Sequence, residues 1–136
     1  MERIPDDLLY LFEEKTIAHV ATVMPDGGPQ VTPVWIDYDE DANRLLVNTE
    51  RGRRKERNVR DEPRVAVSMT PPDDPYDMVT VRGRVRDITT DGARDHIDEL
   101  SRRYVGSDYS NPIETERVIL SIEPEHIHWR PPTRDE

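Results

Sequence analysis

The 136-residue chain has no cysteine, one phenylalanine, two tryptophans and only two lysines, Lys15 and Lys55. Without cysteine there is no disulfide framework, no iron–sulfur site, no thiolate zinc site and no cysteine nucleophile. No apolar run approaches the roughly 20 residues that cross a bilayer. The opening Met1-Glu2-Arg3-Ile4-Pro5-Asp6-Asp7 also lacks the apolar segment of a signal peptide, so the expectation is a cytoplasmic protein with no membrane partner. There is no G-x-G-x-x-G, no P-loop and no Gly-x-Ser-x-Gly elbow, which argues against the common nucleotide-binding and serine-hydrolase motifs.

What is present is charge. Charged residues make up 35% of the chain and hydrophobic residues 34%, so a lone protomer has a thin core and gains from burying surface against a copy of itself. The length fits one domain over 1–136, with a frayed tail at 131–136. The formal charge is −10, with 17 arginines against the two lysines. Such an acidic, lysine-poor surface suits concentrated salt, and a GC-rich coding sequence produces the same arginine bias.

Hydrophobic periodicity predicts a short helix over 5–15 from Ile4, Leu8, Leu11 and Phe12. Thr16 to Val23 and Gln30 to Tyr38 read as a hairpin turned at Pro25-Asp26-Gly27-Gly28, followed by a strand at Leu45-Leu46-Val47. Residues 51–62 have no apolar stripe, only Val59, so a helix there is expected to be short and exposed. Arg64 to Met69 and Met78 to Ile88 alternate as strands, the second with Val79, Val81, Gly83 and Val85 on one parity. Ala93, Ile97, Leu100 and Tyr104 mark an amphipathic helix capped by Thr90 or Asp91, and β-like segments at Arg117 to Ile122 and Glu125 to Arg130 flank Pro124. Short connections favour antiparallel pairing, so the expected fold is mostly β: six strands closing into a small barrel with peripheral helices.

One local anomaly stands out. Between Arg51 and Arg64, seven cations face only Glu56, Asp61 and Glu62; the stretch carries +4 and the remainder −14. It follows a strand and runs into a helix start, where free N–H groups add to the attraction for an anion. Guanidinium forks and an ammonium are the groups that hold phosphates and carboxylates. The alternative is a solvated helix whose arginines pair with nearby acids. A nucleic acid partner is not expected, because the acidic remainder repels a polyanion and no aromatic stacking platform accompanies the island. His126-x-His128 would present two rings on one face without a third ligand in place, so no metal site is expected.

Several segments, taken in order, resemble a known family. They are His19-Val20-Ala21-Thr22-Val23 before Pro25-Asp26-Gly27, Gln30-Val31-Thr32-Pro33-Val34-Trp35, Arg54-Lys55-Glu56-Arg57-Asn58-Val59 with Asp61-Glu62-Pro63-Arg64-Val65, and Val81-Arg82-Gly83-Arg84-Val85. Together they resemble the flavin- and deazaflavin-binding split β-barrel proteins related to pyridoxamine 5′-phosphate oxidase, especially the branch dependent on coenzyme F420. The resemblance covers about residues 6–130. It implies an antiparallel FMN-binding-type split barrel and a homodimer with cofactor sites at the subunit interface. Thr32, Pro33, Val34 and Trp35 would face the isoalloxazine-like ring, with Asn48 and Thr49 beside it. Arg53, Arg54, Lys55 and Asn58 match the segment that holds the cofactor phosphate. The implied activity is hydride transfer from reduced coenzyme F420 to a small conjugated or aromatic substrate. FMN is the alternative cofactor, and a non-catalytic flavin, deazaflavin or tetrapyrrole carrier is the alternative role.

Overall fold

In the computed structural model, which describes residues 2–129, a 3-10 turn over Asp6–Phe12 precedes seven strands and two helices. The strands are β1 (Ile17–Val23), β2 (Pro29–Trp35), β3 (Asp37–Asp39), β4 (Arg44–Glu50), β5 (Arg64–Met69), β6 (Val79–Thr89) and β7 (Arg117–Trp129). The helices are α1 (Arg54–Asp61), between β4 and β5, and α2 (Ala93–Val105), between β6 and β7. All strands join one antiparallel sheet in the order β2-β1-β5-β6-β7-β4-β3.

This order dictates the shape. β2 and β3 occupy opposite edges of the sheet, yet only Ile36 separates them in the chain. A sheet whose two edges are one residue apart must curl back on itself, which makes the fold a split barrel and leaves little open edge. The alternating apolar residues fill the interior: Val20, Val67, Val81, Leu45, Val47 and Leu120 are each at most 1% exposed. Each such side chain contributes on the order of 1.5–3 kcal/mol by leaving water.

The extended run Gln30 to Tyr38, expected as one strand, is therefore two, and the strand count is seven rather than six. Ile36 supplies the reason. Its N–H donates to Tyr104 Oη at 3.1 Å, and its carbonyl accepts from Arg103 Nη2, so side chains of α2 satisfy the backbone at the crossing in place of a ladder partner. The 5–15 helix is a shorter 3-10 turn; Leu8 and Leu11 stack three residues apart beneath Ile4, the spacing a 3-10 turn eclipses. Pro124 does not divide β7. Arg82 pairs with His126 and Gly83 with Pro124, so a bulge at Glu125 absorbs the proline, which has no N–H to donate. At the start of α2, Gly92 occupies the cap position rather than Thr90 or Asp91; the Thr89 hydroxyl instead accepts from the Asp91 N–H. Arg130 and the tail 131–136, expected to fray, lie outside the described residues. Among the described residues no helix is long and apolar enough to cross a membrane.

Candidate functional site

α1 is where the sequence expectation and the structure part most. Its polar residues are not all exposed: Lys55, Glu56, Asn58 and Val59 are buried, Glu56 completely. Glu56 organises the strand-to-helix corner. Its Oε1 accepts from the Gly52 N–H at 2.8 Å and from Arg60 Nη2 at 2.9 Å, and its Oε2 lies 2.8 Å from Arg60 Nε and 3.8 Å from Arg51 Nη1. Arg51 also reaches Glu116 at 3.3 Å, and Arg64 folds back on Glu62 at 2.8 Å. Three of the island's seven cations, Arg51, Arg60 and Arg64, are thus paired with carboxylates.

Two others are not. Arg53, exposed at the N-terminal boundary of α1, and Lys55, buried in its first turn, line a cavity of about 260 Å³, where Arg117, the first residue of β7, joins them. Lys55 and Arg117 are each 7% exposed. Among the described residues no side chain forms an ion pair with Arg53, Lys55 or Arg117. Burial, then the Arg53 and Arg117 charges, hold the Lys55 ammonium below the usual lysine range. Burial likewise lowers Arg117. Thr49 Oγ1, at the same end, is buried with no hydrogen-bond partner among the described residues. Cations with no ion-pair partner and a hydroxyl with no hydrogen-bond partner among the described residues define a site for an anion.

Much of the remaining lining is apolar. Trp35 at the end of β2 packs with Ile97 and Leu100 of α2, and Pro33 and Val34 of β2 and Ile17 of β1 line the same cavity. Trp35 stacks on Tyr104, ring centroids 5.0 Å apart and planes 13° from parallel, and the Arg103 guanidinium covers Tyr104 at 4.9 Å. The Tyr104 hydroxyl donates to the Thr16 carbonyl while accepting from Ile36 N–H, which ties α2 to the barrel crossing. Tyr109 and Asn111, from the loop after α2, complete the rim, with Arg117 lying 5.0 Å over the Tyr109 ring. A ligand that fits has a planar apolar part at one end and negative charge at the other.

Of the ten residues expected at a cofactor site, Pro33, Val34, Trp35, Asn48, Thr49, Arg53 and Lys55 line this cavity. Thr32, Arg54 and Asn58 do not. Asn58 turns away to Thr22 Oγ1 at 2.9 Å, Arg54 donates to Asn58 Oδ1 at 3.2 Å, and Thr32 accepts from Gln30 Nε2 at 2.7 Å. An eight-residue helix cannot aim every side of its basic sequence at one cleft. Tyr109 is one of three tyrosines, with Tyr76 and Tyr104, that the sequence offers as proton donors without singling one out; Asn111 and Arg117 are not legible as site residues, because nothing local distinguishes an arginine at a strand start from its many neighbours. His126 and His128 are exposed on β7.

The Lys55 shift carries a pH dependence. A bound anion stabilises the charged ammonium, so affinity is full at pH below the depressed lysine range and is lost as pH rises through it. In Kd measurements between about pH 7 and 11, Lys55→Arg should flatten this fall, since a guanidinium stays protonated throughout. An identical slope in the variant counts against Lys55 as the titrating group.

The family profile for pyridoxamine 5′-phosphate oxidase matches residues 4–130. A solved structure of a protein named F420 reductase is 35% identical, with 92% of this chain and 98% of that chain covered and a TM-score of 0.80. A conserved hypothetical protein from Mycobacterium tuberculosis superposes with a TM-score of 0.69 at 19% identity, covering 93% of this chain and 88% of its own. General stress protein 26 from Bacillus anthracis gives a TM-score of 0.68 at 17% identity, covering 91% of each chain. The last two share the fold.

Proposed function

Because the chain belongs to the pyridoxamine 5′-phosphate oxidase family, an oxidoreductase fold, we propose that its cavity binds coenzyme F420 and that the reduced coenzyme serves a small conjugated or aromatic substrate. The observation that carries this reading is the convergence of Arg53, Lys55 and Arg117, with no ion-paired carboxylate among the described residues, on a cavity also lined by Pro33, Val34 and Trp35. The likeness to the F420 reductase favours the deazaflavin over FMN. So does the number of cations, since a phosphodiester with a polyglutamate tail carries more negative charge than one phosphate.

When bound in its reduced form the coenzyme supplies a hydride, and a proton from water or a nearby hydroxyl completes reduction of the substrate. The protein's residues bind and orient. Lys55, Arg53 and Arg117 would hold the anionic arm, the Thr49 hydroxyl would offer one further hydrogen bond, and the apolar lining of Pro33, Val34 and Trp35 would take the ring and exclude water. A cavity of about 260 Å³ falls below the ~300–1,000 Å³ typical of small-molecule sites, so one protomer cradles only part of such a ligand. A second copy completes the cleft in this reading. Ile17 and Val31, 42% and 61% exposed, extend the apolar face of β1 and β2 beside Trp35 and offer the surface for it.

Titration of the apoprotein with coenzyme F420 and FMN side by side tests the cofactor, with sedimentation reporting the dimer. Tighter binding of coenzyme F420 is expected, and its reduced form should be oxidised by at least one of a panel of quinones, enones and nitroaromatics. Preference for FMN overturns the cofactor assignment. Binding without oxidation by any acceptor makes the protein a carrier.

A further inference from the structure

A chain of buried and half-buried hydrogen bonds runs from the barrel crossing to the cavity, through residues of which family resemblance singles out only Asn48. Asp37, the first residue of β3, accepts from His96 Nε2 at 2.9 Å on its Oδ2. His96 Nδ1 lies 3.1 Å from Asn48 Nδ2, which also donates to the Ala93 carbonyl at 2.8 Å. Asn48 Oδ1 accepts from Arg117 Nε at 2.9 Å. Four elements contribute, β3, α2, β4 and β7, and His96, Asn48 and Arg117 are all at least nine-tenths buried.

The direction of every bond is fixed by its ends. Arg117 Nε–H can only donate, so the group of Asn48 that meets it is the carbonyl. The Ala93 carbonyl can only accept, so the other side of Asn48 is the NH₂, whose second hydrogen points to His96 Nδ1. His96 Nδ1 must then be the bare nitrogen and Nε2 the protonated one, donating to a carboxylate that can only accept. The carboxylate is held in turn: Asp37 Oδ1 accepts from Tyr38 N–H at 2.9 Å. Burial raises the Asp37 carboxyl, but the bonds from His96 and Tyr38 outweigh it and hold the group below the usual range, ionised. Arg117, anchored through Nε and touching Tyr109 Oη at 3.4 Å through Nη1, has Nη2 free of protein hydrogen bonds among the described residues at the edge of the cavity.

We infer that Asp37 and His96 are positioning residues: by fixing the imidazole tautomer they fix the Asn48 amide, and through it they hold Arg117 in the orientation that receives the anion. The inference rests on the cavity being the ligand site proposed above. Neither Asp37 nor His96 lines the cavity, so their effect on binding passes through Asn48 and Arg117.

The isosteric variant Asp37→Asn reverses the chain. Its carbonyl stays on Tyr38 N–H, where Oδ1 now accepts, and its NH₂ replaces Oδ2 in front of His96. His96 must then accept at Nε2 and carry its proton on Nδ1, which confronts the Asn48 NH₂. Asn48 can relieve the clash only by turning its NH₂ toward Arg117, which ejects the guanidinium.

Two measurements on the full-length protein test this. Long-range ¹⁵N–¹H correlation of histidine side chains should show His96 protonated at Nε2 in the wild type and at Nδ1 in Asp37→Asn. Titration with coenzyme F420 and, separately, with inorganic phosphate should weaken by about tenfold in the variant, the scale of one charged hydrogen bond. A wild-type His96 protonated at Nδ1 overturns the inference, as does unchanged phosphate and coenzyme binding in a variant whose tautomer has switched. If wild type binds phosphate, loses it in Asp37→Asn, and binds neither coenzyme F420 nor FMN, the network stands and the functional reading falls. His96→Phe, which removes both bonds at once, gives the same weakening of phosphate binding and guards against an Asp37→Asn variant that fails to fold.

Discussion

Lys55→Met is expected to weaken coenzyme binding about ten- to hundredfold, the equivalent of the ~1.5–3 kcal/mol that a hydrogen bond to a charged group contributes. The variant should nevertheless melt no lower than wild type. In the unliganded protein the ammonium is buried beside Arg53 and Arg117 with no ion-paired carboxylate among the described residues, so its charge is a cost that methionine removes while keeping the length of the side chain. Residues kept for ligand binding at the expense of stability show this opposed pair of effects. Calorimetric Kd values and thermal melts on the same preparations check it. Unaltered affinity, or a melting point that falls as affinity does, would mean that Lys55 is a structural residue.

The largest effect on stability is expected at Gly83. A Cβ there would sit 2.1 Å from the Glu123 carbonyl oxygen and 3.3 Å from Pro124 Cα, both backbone atoms that cannot swing aside. Gly83→Ala must therefore open the β6–β7 pairing where Gly83 opposes Pro124, next to the bulge. The cost is expected to reach about 3 kcal/mol, the upper range for overpacking, and to lower the melting point by roughly 10 °C. Gly83 does not line the cavity, so the folded fraction should bind coenzyme as wild type does. A melting point within a degree or two of wild type would show that the two strands separate there at little cost.

These substitutions differ in how much of their rationale the sequence reveals. Val79, Val81, Gly83 and Val85 share one parity, so Gly83 reads from the sequence as an inward position; only the register with β7 shows that a carbonyl fills the space a side chain would need. Lys55 stands out in the sequence because the chain otherwise uses arginine, and it does point into the cavity. Asn58, three residues on, looks equally suited to a ligand and instead braces the β1–β2 hairpin through Thr22. Helix geometry explains the difference: positions three apart face nearly the same way but a turn apart along the axis, where Lys55 meets the cavity and Asn58 meets Thr22 of β1.

Local chemistry is enough for most of the strands, the two helices, the β character of the fold and the presence of an unbalanced basic segment, because alternation, helical spacing and charge counts are properties of nearby residues; the break at Ile36 that makes two strands of one is not such a property. The closure of the barrel through Ile36, the pairing of Glu56 with Arg51 and Arg60, two of the seven cations of the basic segment, and the arrival of Arg117 from 62 positions beyond Lys55 belong to the tertiary structure alone. Each depends on which distant side chain satisfies a buried polar group, and such a choice is made only when the sheet has curled and brought the candidates within hydrogen-bonding reach.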